Sequence, residues 1–334
     1  MATADITVLG AGVFGLSVAY ACARRGAVVR VIDPHGVAAG ASGGLVGALA
    51  PHVPENWNDK KAFQFESLIM AEAFWAEVGR LAGDDTGYLR SGRLQPLADE
   101  RAVALARARA EGAKELWQGR AVWQVVPTSD EDWIPPSATG LVVRDTLSAL
   151  IQPRRATRTL AKAVMALGAE ITTDAACEGK VVWATGWDGM KEVGGNGVKG
   201  QAALLDFDAS GKPQLFAEAL HIIPHLDGTV AVGSTSEREF ASPTATDSQL
   251  EDVIARVRDI FPILSDAPVI ARWAGVRPRS KSRAPVLGAH PQKDGEFIAN
   301  GGFKIGFGMA PKVGEVLADL LLDGVDRIPE GFRA

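Results

Sequence analysis

Cysteine is scarce in this chain of 334 residues, which carries two, Cys22 and Cys177. Two thiols make neither a disulfide framework nor a cysteine-rich zinc site. Cys22 falls in a helical segment and reads as a small core residue. Histidine is sparse and scattered, five residues in all. His221 and His225 are spaced i, i+4, but Pro224 and the apolar residues around them imply a strand end, which excludes a helical metal pair. No apolar run reaches the roughly 18–20 residues that span a bilayer. No basic, apolar leader precedes the first strand-like segment, so the chain reads as a cytoplasmic protein. Positive charge is not in excess: 35 Lys and Arg face 40 Asp and Glu, a formal net charge of −5. That balance argues against nucleic acid as the main partner. Internal repeats and low-complexity linkers are also lacking.

What is present is a core and a motif. Apolar residues make up 47% of the chain, ample for a packed interior, and the length suggests about two domains. The segment Asp5-Ile6-Thr7-Val8-Leu9 reads as a strand. Gly10-Ala11-Gly12-Val13-Phe14-Gly15 follows, then a helix-like run, then Val28 to Ile32 and Asp33. This is a G-x-G-x-x-G turn in strand–turn–helix–strand context. Gly10 permits the tight turn, Gly12 lets a pyrophosphate approach the backbone, and Gly15 lets the helix pack close to the sheet. The helix N-terminus offers free N–H groups and partial positive charge to phosphates. Asp33 stands eighteen residues after Gly15. Its carboxylate suits ribose hydroxyls and would repel a 2′-phosphate, which disfavours NADP. Pro34 completes this part of the expected nucleotide site.

Periodicity predicts further elements. Phe65, Leu68, Ile69, Trp75, Val78 and Leu81 mark one helix, residues 99–117 a second, and Arg154 to Leu167 a third. Thr246 and Gln249 form a capping-box pattern before a fourth. Pro311 is expected to open a last helix that Gly324 closes. Strands are predicted at 180–184, 220–223, 229–232, 269–273 and 297–299, with Asp227-Gly228 as a hairpin turn. Strand-and-glycine features recur at 181–189 and 297–308, which suggests one nucleotide domain assembled from separated segments. We expect it to comprise residues 1–80, 148–200 and 272–334. Residues 81–147 and 201–271 would form an inserted substrate domain.

NAD and FAD share the opening motif, so other segments must decide. The small-residue run Ala39 to Ala48, with Ala41, Ser42, Gly43, Gly44, Val46 and Gly47, lets backbone lie against a ring system. Ala184-Thr185-Gly186-Trp187 can return the chain to the nucleotide. Gly301-Gly302-Phe303-Lys304-Ile305-Gly306 lets backbone amides, a helix N-terminus and Lys304 approach the negative edge of a reduced flavin. A flexible loop, an ordinary core strand and a glycine-rich loop remain the structural alternatives for these three segments.

With these motifs, and with Lys199-Gly200-Gln201, Val232-Gly233-Ser234-Thr235, Trp273-Ala274-Gly275-Val276-Arg277-Pro278 and Pro285-Val286-Leu287-Gly288, the chain resembles the D-amino acid oxidase-like family of FAD-dependent oxidoreductases. Glycine oxidase, sarcosine oxidase and D-amino acid dehydrogenase members look most similar. The resemblance implies an α/β fold: a Rossmann-like FAD-binding domain of the glutathione reductase type with an inserted α+β domain on a mixed, largely antiparallel sheet. It implies oxidation of a small amine or amino acid at its C–N bond by hydride transfer to flavin N5, giving an imine that water hydrolyses. Oxygen or another carrier would reoxidise the flavin. Arg277 would pair with the substrate carboxylate by two parallel hydrogen bonds, and also stand among the flavin-binding residues. Lys304 would lie at the flavin edge. Tyr88 is the remaining candidate for a tyrosine lid, since Tyr20 reads as core; His52 is a candidate facing the active site. No cysteine follows Cys177, so the FAD is expected to be non-covalent. One stretch departs from the pattern. Arg277, Arg279, Lys281 and Arg283 alternate, and Ser282-Arg283 stand where relatives carry an acidic residue. That charge would attract an anionic substrate or a partner surface, or would be solvated. Alternatives are the flavin subunit of an opine- or sarcosine-type dehydrogenase complex, an NAD-dependent dehydrogenase, a flavin-dependent tRNA-modifying enzyme, and a non-catalytic flavin-binding protein.

Overall fold

The computed structural model describes residues 3–129 and 131–334. Its first layer is a six-stranded sheet in the order Val286–Ala289, Phe297–Asn300, Lys180–Trp183, Ile6–Leu9, Val29–Ile32 and Glu170–Thr172. All neighbours are parallel except the edge pair Val286–Ala289 with Phe297–Asn300. The first strand is therefore flanked by the next strand in the chain on one side and by a strand from residue 180 on the other. In open parallel sheets such a reversal of strand order leaves a crevice at the strands' carboxyl ends. Helix Val13–Ala23 packs into this layer with ten of its eleven residues buried. A helix apolar on all sides belongs inside. Helices Asp59–Ala82, Pro153–Ala166 and Gly306–Ala318 surround it and share one core with the sheet.

The second layer is an eight-stranded sheet in the order Val269–Arg279, Asn196–Asp206, Thr229–Gly233, Leu220–Pro224, Gln214–Ala217, Arg93–Pro96, Leu141–Asp145 and Trp123–Pro127. One pair is parallel, Gln214–Ala217 with Arg93–Pro96; the rest are antiparallel. Alternation along the strands divides their side chains between two faces. Ala203, Leu205, Ile222, Val230 and Val232 pack under Leu250, Val253, Ile254 and Val257 of helix Ser248–Ile260. Ala202, Leu204, Ile223, Ala231 and Trp273 point the other way and meet Leu45, Val46 and Ala48. This inner face brings the second layer against the small-residue run of the first.

The expected elements form, with informative differences. The junctions expected at 200/201 and 271/272 fall inside continuous strands, Asn196–Asp206 and Val269–Arg279. These two strands pair along nearly their whole length and carry the chain from one layer to the other. Pro311 does not open the last helix. That helix begins at Gly306, because the tight turn at Gly302–Ile305 already starts it, and the proline lies inside. The cap of helix Ser248–Ile260 is Asp247 rather than Thr246. Asp247 has extended backbone and its carboxylate accepts from the Gln249 amide at 3.0 Å. Gly324, at φ +70°, ends the final helical stretch as expected.

Candidate active site

The glycine turn sits at the carboxyl end of Ile6–Leu9. Gly10 has φ +112°, and a Cβ there would lie 2.3 Å from the Ala184 carbonyl oxygen. Both the backbone conformation and the close approach of the neighbouring strand require glycine. A Cβ on Gly15 would lie 2.0 Å from the Gly10 oxygen, so this residue lets the helix close down on its own turn. Gly12 differs: a Cβ would meet only the Ser42 hydroxyl, at 3.2 Å, and otherwise face open space. Gly12 is also the helix N-cap and supplies no side chain to the free amides. Ser42 Oγ accepts from the Val13 amide at 2.9 Å and keeps its own proton to donate. Asp33, after the second strand, accepts from the Ala11 amide at 2.8 Å and the His35 amide at 2.9 Å. Each carboxylate oxygen retains a lone pair for a ribose hydroxyl. Pro34 beside it is exposed.

The run from Ala41 to Ala48 starts with a 3₁₀ turn, Ala41–Gly43. Thr157 donates to the Ser42 carbonyl at 3.2 Å and Arg154 Nε to the Gly43 carbonyl at 3.0 Å, which pins this turn on helix Pro153–Ala166. Cβ atoms on Gly43 and Gly47 would collide with the Ala38 and Ile151 carbonyl oxygens at 2.2 and 1.9 Å. These glycines therefore serve backbone-to-backbone packing. Gly44 lies against the Trp273 ring, and Val46 and Ala48 face the inner side of the large sheet.

A second helix N-terminus arrives beside the first. Gly301 has φ +79° and Phe303 φ +43°. The Phe303 amide donates to the Pro278 carbonyl at 3.0 Å, and the Ile305 amide to the Gly302 carbonyl at 2.9 Å. The turn delivers helix Gly306–Ala318, whose N-cap, Ile305, again provides no capping side chain. A Cβ on Gly302 would sit 3.0 Å from the Phe14 ring, and one on Gly306 3.9 Å from Val13. Two helix N-termini whose own N-cap residues supply no side chain thus meet at one place, a strong site for anions such as a pyrophosphate. Thr185, next to the Gly10 turn, has a buried hydroxyl without a partner among the described residues. The Gly186 carbonyl accepts from Asn300 Nδ2 at 2.9 Å, and Lys191 lies over the Trp187 ring at 3.5 Å. Trp187 therefore faces outward, packed against Phe240 and Gly197.

Beyond this cradle stands a group of cations. Arg277, on strand Val269–Arg279 opposite Val198, reaches across the facing strand Asn196–Asp206 to Gly200. A Cβ on Gly200 would lie 2.4 Å from Arg277 Nη2. The guanidinium donates to the Val198 carbonyl at 3.4 Å, the Lys199 carbonyl at 3.1 Å, the Thr235 carbonyl at 2.7 Å and Ser234 Oγ at 2.9 Å. Four N–H groups are thereby used and one remains, on Nη1. The expected pair of parallel hydrogen bonds to a carboxylate is not available in this geometry. Burial lowers the Arg277 pKa to about 10, opposed by the nearby charge of Glu237. Behind it lies a buried network. Lys199 Nζ pairs with Glu237 at 3.2 Å and Asp247 at 3.4 Å, and Gln201 donates to both carboxylates at 3.0 and 2.8 Å.

Arg277, Arg279 and Lys304 all stand 5.8–6.0 Å from the Phe303 ring centre. Lys60 donates to the Arg283 carbonyl at 3.0 Å. Burial, then Arg277 and Arg283, lowers the pKa of Lys304; burial and Arg283 lower that of Lys60. Lys281 leaves the group and turns toward Gly194. His52 is held by Gln64, whose Oε1 accepts from its amide at 2.7 Å, and its pKa is lowered by burial and by Lys60. Tyr88 is not brought in. It packs on the main core, with a buried hydroxyl lacking a partner among the described residues, and burial pushes its pKa above the usual range.

His221, expected only at a strand end, joins the site. It lies on the inner face, opposite Gly233, one residue from the Ser234 that Arg277 binds. Its ring rests on Phe216 at 4.7 Å. Burial first, then Arg93, Lys304 and Arg277, pushes its pKa down to about 3, so it is a neutral imidazole. The signal was the strand alternation that puts residue 221 on the face of Ile223, readable only once the register with Thr229–Gly233 is known.

Relatives share the sequence pattern and the fold over nearly the whole chain. The chain is 25% identical over 359 residues to the bifunctional protein ThiO/ThiG of Nostoc sp., covering 96% of this chain and 53% of that protein. It therefore spans about half the length of that curated relative. It is 23% identical over 351 residues to glycine oxidase of Bacillus licheniformis, covering 95% and 93% of the two chains. The crystal structure of glycine oxidase from Geobacillus kaustophilus superposes with a TM-score of 0.85 at 19% identity over 99% of this chain and 98% of that one, a likeness of fold. The family model described as FAD dependent oxidoreductase, DAO, matches residues 5–320, a span that takes in the glycine turn, the Ser42 run, Arg277 and the Gly302–Gly306 turn. With two helix N-termini converging where a pyrophosphate would lie, the fold and the sequence agree that this chain belongs to the DAO family of FAD-dependent oxidoreductases.

Proposed function

We propose that the chain oxidises the C–N bond of a small amino acid or related amine to an imine, which water hydrolyses to the carbonyl compound. The observation that carries this reading is the placing of Arg277 and Lys304 together at Phe303, one residue from the Gly302 that touches Phe14 of the dinucleotide turn. FAD, when bound, supplies the two-electron acceptor for the hydrogen that leaves the substrate carbon as hydride. Gly12, Ser42, Asp33 and the two helix N-termini would hold its phosphates and ribose; Gly44 to Ala48 and the inner face of the large sheet would enclose its ring.

The chain's own side chains are charged with position and electrostatics. Arg277 has one free N–H and a fixed guanidinium, so it gives one hydrogen bond to a carboxylate. Lys304, exposed and without an ion pair among the described residues, brings donors for the second oxygen. Burial and the neighbouring arginines lower the pKa of Lys304, and a bound carboxylate acts in the opposite direction. His221 is neutral and presents no charge to repel a substrate ammonium. The large sheet excludes water from the inner face through Trp273, Leu204 and Ile223.

The test is Arg277→Met beside Arg277→Lys, each assayed for FAD content and turnover of a panel of glycine, sarcosine and D-amino acids. Arg277→Met is expected to lose on the order of 10²–10³ in kcat/KM while retaining FAD. Arg277→Lys cannot span the four acceptors that the guanidinium reaches and should recover only part of that loss. Wild-type turnover by both variants would refute the assignment.

A further inference from the structure

The cations around Phe303 outnumber the anions that the proposed reaction brings to them. Arg277, Arg279 and Lys304 stand within 6.0 Å of that ring, with Arg283 and Lys60 adjoining. Among the described residues none of these five side chains lies within ion-pair distance of a carboxylate, whereas Arg93, Arg109, Lys199 and Lys312 elsewhere in the chain are all paired. Arg277 and Arg279 are partly buried, so their charges are not simply dispersed in solvent. The cofactor's pyrophosphate does not account for them, since it has its own place at the uncapped helix ends. One substrate carboxylate next to the reacting carbon uses Arg277 and Lys304. Arg279 then remains beside Phe303, and the exposed Arg283, whose charge acts on both Lys60 and Lys304, adjoins the same group.

Resting on the C–N oxidation reading, we infer that the substrate is an amino dicarboxylate, whose second carboxylate is held by Arg279 and Arg283. Burial first, and then the neighbouring arginines, lower the pKa of Lys60 and Lys304, and carboxylates in place would offset the repulsive part. Carboxylate recognition by arginine is directional and charge-assisted, so each such contact is worth about tenfold to hundredfold in affinity. A single-carboxylate substrate would leave part of the cluster unneutralised. An extended acidic partner is disfavoured because Arg277 and Arg279 are recessed beside Phe303 rather than spread over a flat surface.

The experiment uses the FAD-loaded protein and two readouts. The first is perturbation of the visible flavin spectrum by matched non-reacting probes, propionate against succinate and butyrate against glutarate. The second is anaerobic flavin reduction by matched pairs: alanine against aspartate in both enantiomers, and N-methylglycine against N-(carboxymethyl)glycine. The dicarboxylate of at least one pair should bind, and reduce the flavin, at least tenfold more effectively than its partner. Arg279→Met and Arg283→Met should bring that ratio to about one, and Arg279→Lys should restore part of it; FAD affinity monitors their folding. Equal behaviour of mono- and dicarboxylates, or an unchanged ratio in both methionine variants, overturns the inference and leaves the C–N reading intact. Binding confined to a polyglutamate peptide also overturns it. Tight dicarboxylate binding with no reduction by any amine would sustain the anion site and count against the C–N reading itself.

Discussion

Replacing Gly12 or Gly15 by alanine separates the two roles that glycine plays in the nucleotide turn. Gly12 has φ −84° and ψ 177°, a conformation that alanine adopts freely. Its added methyl would meet only the Ser42 hydroxyl, at 3.2 Å, and that side chain can rotate. The apoprotein should therefore lose about 1 kcal/mol, the difference between glycine and alanine at a helix N-cap. The methyl does, however, occupy the space through which phosphate oxygens reach the amides of the first turn. Losing two charge-assisted hydrogen bonds at about 1.5–3 kcal/mol each weakens FAD binding on the order of 10²–10⁴-fold. In Gly15→Ala the methyl lies 2.0 Å from the Gly10 oxygen, which is backbone and cannot rotate away. That variant should lose at least about 3 kcal/mol of apoprotein stability by overpacking. Urea unfolding of the apoproteins and titration with FAD, followed by quenching of flavin fluorescence, read the two quantities separately. A Gly12→Ala protein that binds FAD within threefold of wild type would refute this account of the turn.

Three further outcomes follow from the site's surroundings. Glu237→Gln leaves Lys199, 2% exposed, with only the half-exposed Asp247 as counter-charge, and should cost about 3 kcal/mol in urea unfolding. Gly200→Ala drives a methyl into Arg277 Nη2 and should displace the guanidinium from its carbonyl cradle; KM is expected to rise about tenfold with FAD affinity unchanged, measured by steady-state kinetics and flavin titration. His221 and His225 are held neutral chiefly by burial, with pKa values near about 3 and about 4, below the ordinary 6.5. The unfolded chain therefore binds more protons below pH 6.5. Apoprotein stability should be full above that pH and fall as pH drops toward 4, by up to about 1.4 kcal/mol per unit for each histidine. His221→Asn and His225→Asn should each remove one proton from that dependence.

The opening strand, turn and helix were legible because every part of the argument is local: Gly10, Gly12, Gly15 and Asp33 lie within one βαβ unit. The order of the later motifs located the return strands at Lys180 and Phe297; the first pairs with the opening strand and the second pairs with the first. Arg277 was visible as a residue, but its partners were not. Val198, Lys199, Ser234 and Thr235 come from strands far away in sequence, and only the register shows that they consume most of its donors. His221 was hidden for the same reason: strand alternation gives two faces, and nothing local says which one is turned to the site. Lys199 and Gln201 read as a motif fragment, and with Glu237, which nothing local singled out, they form one buried network. The helix starts at Asp247 and Gly306 depended on side-chain and turn contacts that outweigh the local patterns at Thr246 and Pro311.

Anaerobic mixing of the FAD-loaded protein with amino acids and amino dicarboxylates decides whether the chain oxidises a C–N bond. The account predicts loss of the yellow oxidised-flavin band with one equivalent of carbonyl product per flavin, and loss of that reaction in Arg277→Met. A flavin that stays oxidised with every amine and amino acid, yet is reduced by a nicotinamide dinucleotide, would contradict it.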